Sequence, residues 1–94
     1  MIDINYELYK VFYHVASTLN FSEASKQLYI SQSAVSQSIK TLERKLDQTL
    51  FIRSTKKVQL TPEGEILMRH VEPAMNQPEG KYASVPAILY AAIS

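Results

Sequence analysis

Between Phe21 and Leu46 the chain reads FSEASKQLYISQSAVSQSIKTLERKL, and the second half of that stretch is patterned for one regular structure. Val35, Ile39, Leu42 and Leu46 recur at steps of four, three and four. At about 3.6 residues per turn that spacing puts them in a single apolar stripe. Gln32, Ser33, Ser36, Gln37 and Lys40 fill the other side, and none of them is acidic. The pattern predicts a helix held down by one face and offering a neutral-to-basic, hydrogen-bonding face outward. A shorter helical stretch, Ser22 to Leu28, precedes it across only Tyr29-Ile30-Ser31. Two helices joined by so tight a turn, the second with amides and hydroxyls outside, read as a helix-turn-helix.

The flanking segments extend this reading. A first helix is expected from about Asn5 to Thr18, with Leu8, Val11, Phe12, Val15 and Leu19 as its core stripe and Tyr6, Tyr9 and Tyr13 as a second stripe beside it. Each tyrosine hydroxyl needs water or a partner, and three on one helix fit either packing within the protomer or, as the sharper reading, a surface shared with a second subunit. Asn20 suits a left-handed residue ending this helix. Ser22 is the expected cap of the second helix, with Glu23 in its positive first turn, and Ser31 the expected cap of the third. Leu50-Phe51-Ile52-Arg53 and Val58-Gln59-Leu60 are β-prone runs around Ser54-Thr55-Lys56-Lys57, which predicts a two-stranded hairpin with a basic tip, a wing. Thr61-Pro62-Glu63 combines a capping hydroxyl, a proline suited to the first helical position and an acid for the first turn, so a fourth helix starts there. It continues through Ile66, Leu67 and Val71; Pro73 is expected to kink or break it, and Pro78-Glu79-Gly80 to end it. The expected class is therefore mostly α with a small β-hairpin: a winged helix-turn-helix over residues 1–61, a linker or dimerisation helix over 62–80, and a tail over 81–94.

Charge supports a localised anion-binding surface. The net charge of the 94 residues is only +1. Between Ala24 and Leu60, however, seven basic residues stand against two acidic ones, while elsewhere three basic residues stand against seven acidic ones. A basic middle between acidic ends is the distribution that phosphate binding requires. There is no cysteine, hence no disulfide, thiolate nucleophile or cysteine-based zinc site. The start, MIDINYEL, lacks a basic, apolar export signal, and no run approaches the roughly 18 apolar residues of a membrane span, so a soluble cytoplasmic protein is expected.

Catalysis finds little support. His14 and His70 lie far apart without ligand-spaced neighbours, and Glu63 and Glu65, two apart, point to different sides of a helix. Ser31 and Ser33 have no base nearby in sequence, and the two glycines are too separated to cradle a phosphate. The chain is expected not to be an enzyme, and no cofactor or metal is expected.

From Tyr6 to Gly64 the chain resembles the N-terminal DNA-binding domain of LysR-type transcriptional regulators. The resemblance rests on FSEASKQLYISQSAVSQSIKTLERKL followed by LFIRSTKKVQLTPEG, in that order and separation. It implies a third helix in the major groove of double-stranded DNA, with Gln32, Ser33 and Ser36 at base-reading positions. Gln suits adenine, whose N6 donates and whose N7 accepts. Ser33 stands where the family often has proline, exchanging an apolar contact for a polar one. The resemblance places Ser22, Lys26, Ser31, Gln37, Lys40, Arg53, Thr55, Lys56 and Lys57 on the DNA backbone and, for the wing, at the minor groove. Lys56 replaces a usual arginine and cannot make its planar bidentate contact. The family's fourth helix pairs with its counterpart, which implies a homodimer through Tyr6, Tyr9, Tyr13, Ile66, Leu67, His70 and Val71, reading an imperfect dyad. Full-length members carry a C-terminal effector-binding domain, whose start the tail does not resemble, so no small-molecule effector is implied. A second possible role, without that domain, is an interaction module that forms mixed dimers with a full-length regulator.

Overall fold

A computed structural model describes residues 6–75. In chain order it holds α1 (Tyr6–Thr18), α2 (Phe21–Leu28), α3 (Gln32–Leu46), strands β1 (Phe51–Arg53) and β2 (Val58–Leu60), and α4 (Pro62–Met75). Helix α1 lies at the centre, packed against α2, α3 and α4, and β2 closes against α4. The strands pair antiparallel in the register Phe51 with Leu60, Ile52 with Gln59 and Arg53 with Val58. This is a three-helix winged helix-turn-helix followed by a long helix. The reading of residues 81–94 as a tail lies outside the described residues, as does the stop at Pro78-Glu79-Gly80.

The stripe on α3 is buried as its spacing predicts, with Val35, Ile39, Leu42 and Leu46 in the same core as Val11, Phe12 and Val15 of α1. The second stripe on α1 is not uniform. Tyr9 is buried, Tyr13 half-buried and Tyr6 exposed, because α4 supplies Leu67, Val71 and Ala74 to the same core. Leu19, expected in the core stripe, is exposed instead, since it lies past the end of α1 in a left-handed conformation with φ 51°.

That displacement rearranges the α1–α2 joint. Leu19, not Asn20, takes the left-handed position. Asn20 has extended backbone and caps α2, its side-chain oxygen accepting from the Glu23 N–H at 2.9 Å. Ser22 is therefore inside the first turn, where its carbonyl accepts from the Ser25 hydroxyl at 2.7 Å. Both Asn20 and Ser22 are good capping types; a Ser22 cap would start the helix at Glu23, whereas α2 begins two residues sooner, at Phe21.

The next two helices finish alike. The Ile30 N–H donates back to the Ser25 carbonyl and the Tyr29 N–H to that of Lys26, and Gln48 and Asp47 repeat this toward Glu43 and Arg44. Both are Schellman closures, with Tyr29 (φ 58°) and Asp47 (φ 55°) in the place usually given to glycine. Beyond α3, the Glu43 carboxylate accepts from the N–H groups of Leu50 and Phe51 at 2.7 and 3.3 Å and so fixes the start of the wing.

Thr61 joins wing to α4. Its hydroxyl accepts from the Gly64 N–H at 3.0 Å and donates to the Thr49 carbonyl at 2.6 Å, while its own N–H reaches the Leu50 carbonyl. Helix α4 runs two residues past Pro73. The hydrogen bond that proline cannot make is to Arg69, and both residues are exposed, so water can satisfy that carbonyl. None of the described helices is long and apolar enough to cross a membrane.

Two outcomes follow from this packing. A β-carbon on Gly64 would run into the Leu50 carbonyl oxygen and stand 2.8 Å from Leu60 Cδ2. The oxygen is backbone and cannot swing away, so Gly64→Ala should cost about 1–3 kcal/mol in chemical denaturation. The Tyr9 hydroxyl is buried with no hydrogen-bond partner among the described residues, and burial pushes its pKa up from 10.0 to about 12. The folded state thus keeps a proton that the unfolded chain releases first. Stability from this group is complete below about pH 10 and is lost as pH rises toward about 12. Tyr9→Phe should raise the urea midpoint at pH 7 and flatten its decline across that alkaline window; an unchanged decline would contradict the assignment.

Candidate nucleic-acid interface

Helix α3 is anchored by its apolar stripe, and this leaves Gln32, Ser33, Gln37 and Lys40 exposed on the outer face, with Ser36 half-buried at its edge. The N-terminus of α3 is organised by Ser31, whose hydroxyl accepts from the Ala34 N–H at 3.1 Å and lies 3.1 Å from the Ser33 hydroxyl. The first turn of α3 carries no acid, so its positive end is not neutralised by its own side chains. Such an end presents N–H groups and short hydroxyls suited to an oxyanion.

The wing tip is shaped by Ser54, which sequence patterning did not single out. Its hydroxyl accepts from the N–H groups of Lys56 and Lys57 at 3.4 and 3.1 Å, and it also donates to the Lys57 carbonyl at 3.0 Å. The Ser54 N–H donates to that carbonyl as well. A serine that closes a turn onto its own backbone is a common local motif. Here it leaves Thr55, Lys56 and Lys57 exposed at the tip. Lys26, in the last turn of α2, is also exposed, whereas Ser22 is half-buried.

Arg53 is held in a definite place. Its guanidinium carbon stands 3.8 Å from the centroid of the Phe21 ring, and its Nη2 donates to the Ser36 hydroxyl at 3.3 Å. Phe21 in turn meets Phe51 edge-on at 6.0 Å, and Phe51 meets Phe12 at 5.4 Å. A cation over an aromatic face is favoured by the ring's negative face. This row of side chains therefore ties the wing to the first turn of α2 and to the outer edge of α3. Nothing in the spacing of the sequence indicates it.

The residues considered for a subunit contact fall into two groups. Tyr9, Leu67 and Val71 are buried within the protomer, while Tyr6 is exposed and Tyr13, Ile66 and His70 are half-buried. His14, half-buried, has Nδ1 2.8 Å from the Gln27 side-chain oxygen and its ring edge-on to Tyr13, a contact that joins α1 to α2. Among the described residues no cluster of His, Asp or Glu is arranged to hold a metal ion.

Comparison with known proteins bears on the whole of this arrangement. The chain is 43% identical over 70 residues to the HTH-type transcriptional regulator HdfR of Yersinia enterocolitica, an alignment covering 74% of this chain and 24% of that protein. It thus spans about a quarter of the length of the curated relatives it matches. Among solved structures, oxidised OxyR of Corynebacterium glutamicum superposes with a TM-score of 0.71 at 34% identity, over 74% of this chain and 23% of that one. The DNA-binding domain of BenM, solved with catB site 1 DNA, superposes with a TM-score of 0.75 at 26% identity, over 78% of this chain and 81% of that one. Residues 6–65 match the family described as bacterial regulatory helix-turn-helix protein, lysR family, and the chain belongs to that family.

Proposed function

We propose that the chain binds double-stranded DNA in a sequence-dependent way as a dimer and thereby takes part in transcriptional regulation. The observation that carries this reading is the outer face of α3 from Gln32 to Lys40, largely exposed, hydrogen-bonding and free of acids, beside exposed lysines on the wing. BenM, whose domain has the same fold, was solved on DNA, and HdfR is a transcriptional regulator by name.

In this reading α3 enters the major groove. Gln32, Ser33 and Ser36 meet base edges, with Gln32 matched to adenine by its paired donor and acceptor. Ser31, Gln37, Lys40 and Lys26 meet the phosphates beside the groove. Thr55, Lys56 and Lys57 follow the backbone and minor groove beyond. Phosphate contacts set position, and base contacts set sequence.

Dimerisation is assigned to the outward side of α1 and α4. Ile66 and His70 are four apart on α4, hence on one stripe, and Tyr6 and Tyr13 are seven apart on α1. All four retain exposed surface, whereas Tyr9, Leu67 and Val71 support them from within the core. Two copies would present two recognition helices to half-sites about 34–36 Å apart.

Titration with duplex oligonucleotides at several salt concentrations tests the whole reading. If Lys26, Lys40, Lys56 and Lys57 meet phosphate in both subunits, about eight ion pairs form and the slope of log K against log salt approaches roughly −7. Gln32→Ala should relax sequence preference by about 1–3 kcal/mol, whereas Lys57→Ala should weaken all sequences alike and make the slope shallower. Equal losses on specific and random DNA for both variants would overturn these roles. For the dimer, Ile66→Glu should lower the mass in sedimentation equilibrium toward that of one chain while leaving the helical circular dichroism signal intact.

A further inference from the structure

We infer that Arg53 is a positioning residue that biases the Ser36 hydroxyl toward donating into the groove, so that α3 disfavours cytosine, relative above all to guanine, at the base Ser36 meets. The inference rests on the groove-docked reading above and specifies how one of its residues discriminates.

A serine hydroxyl is ordinarily ambivalent, with one proton to give and two lone pairs to offer. It therefore selects poorly among bases. Ser36 is not in that free state. The one hydrogen bond its hydroxyl makes among the described residues is accepted, from Arg53 Nη2 at 3.3 Å. A guanidinium has donors only and keeps its charge at any ordinary pH, so it can never take the serine proton in exchange. One lone pair is occupied, the other faces a neighbouring positive charge, and the proton is left for an outside acceptor. A bond received from a cation also polarises the hydroxyl and strengthens it as a donor.

The major-groove edges of the bases differ in what they return to such a group. Guanine offers two acceptors, N7 and O6; adenine offers N7 and thymine O4; cytosine offers only its N4 amino donor. A donor-biased hydroxyl with a positive charge behind it gains from the first three. Cytosine leaves the proton without an acceptor and can use only the remaining lone pair, which the guanidinium charge beside it weakens as an acceptor.

Two contacts favour this placement of Arg53. Its guanidinium lies on the Phe21 ring at 3.8 Å, and Phe21 is itself braced by Phe51 and, through it, Phe12. Swinging out to a phosphate would give up the stack and the Ser36 bond together. The wing thus acts on base recognition through a side chain that starts on β1 and ends at α3.

Selection of bound sites from a randomised pool of double-stranded oligonucleotides, carried out with the full chain and its variants, tests this. The unaltered chain should enrich guanine over cytosine about fivefold at one position of each half-site, the size of a single net hydrogen bond. Ser36→Ala, which leaves the Phe21–Arg53 stack in place, should flatten that position alone. Arg53→Met keeps an unbranched chain on Phe21 but removes the donors; it should flatten the same position, and the double variant should do no more than either. Arg53→Lys guards against a folding defect. It should recover general affinity without the preference, because one ammonium cannot both lie over the ring and donate to Ser36. Retention of the preference in Arg53→Met or Arg53→Lys, with all sequences weakened equally, would show Arg53 to be a phosphate contact and overturn the inference. Enrichment of a motif by the unaltered chain with no position sensitive to Ser36→Ala would overturn it while leaving DNA binding standing. Salt-insensitive behaviour with no enrichment at all would remove both.

Discussion

Phe51 is the joint on which the wing depends. It sits between Phe12 of the central helix and Phe21 at the start of α2, so a three-residue strand that could not stand alone is fastened to the helical core by ring contacts. A two-stranded hairpin is at best marginal by itself in water. Here its first strand is fixed at one end by the Glu43 carboxylate on the Leu50 and Phe51 amides, and at the other by Arg53 lying on Phe21. Its second strand passes directly into Thr61, whose hydroxyl and amide reach back to Thr49 and Leu50. The orientation of the basic tip relative to α3 is set by these attachments and not by the strands themselves.

The same logic of indirect support runs through α4. Leu67, Val71 and Ala74 belong to one core with α1 and α3, so the helix after the wing is part of the domain's interior on one side. Its start is pinned by Gly64, which lets the helix approach the Leu50 carbonyl closely. A helix that is core on one face and open on the other carries any displacement of its outer stripe to α1, and α1 touches both helices of the helix-turn-helix.

What could be read in advance was what local patterning specifies. The α3 stripe, the wing runs and the Thr61-Pro62 start each consist of neighbours in sequence whose chemistry has few other uses. The errors have equally physical origins. Asn20 and Ser22 are both competent caps, and which one acts depends on a two-residue shift in where α2 begins. Tyr9 reads like Tyr6 and Tyr13 until α4 covers it, and Leu19 reads as core until the chain turns left-handed there. Glu43 counted only as a charge, because its partners are backbone amides seven and eight residues on. Arg53 meets Phe21 and Ser36 across 32 and 17 residues, and no periodicity encodes such a pairing.

Three joints of this chain, at Leu19, Tyr29 and Asp47, bend through left-handed backbone without a glycine among them. Each costs about 1–2 kcal/mol relative to the ordinary right-handed form. Yet a bulky residue has fewer alternatives to lose on folding than glycine would, and two of the three bends are locked by paired amide–carbonyl closures. Stiff elbows of this kind make the angle between α2 and α3 a property of the free protein. A ligand then meets a surface already aimed and loses little of its binding energy to aligning the helices.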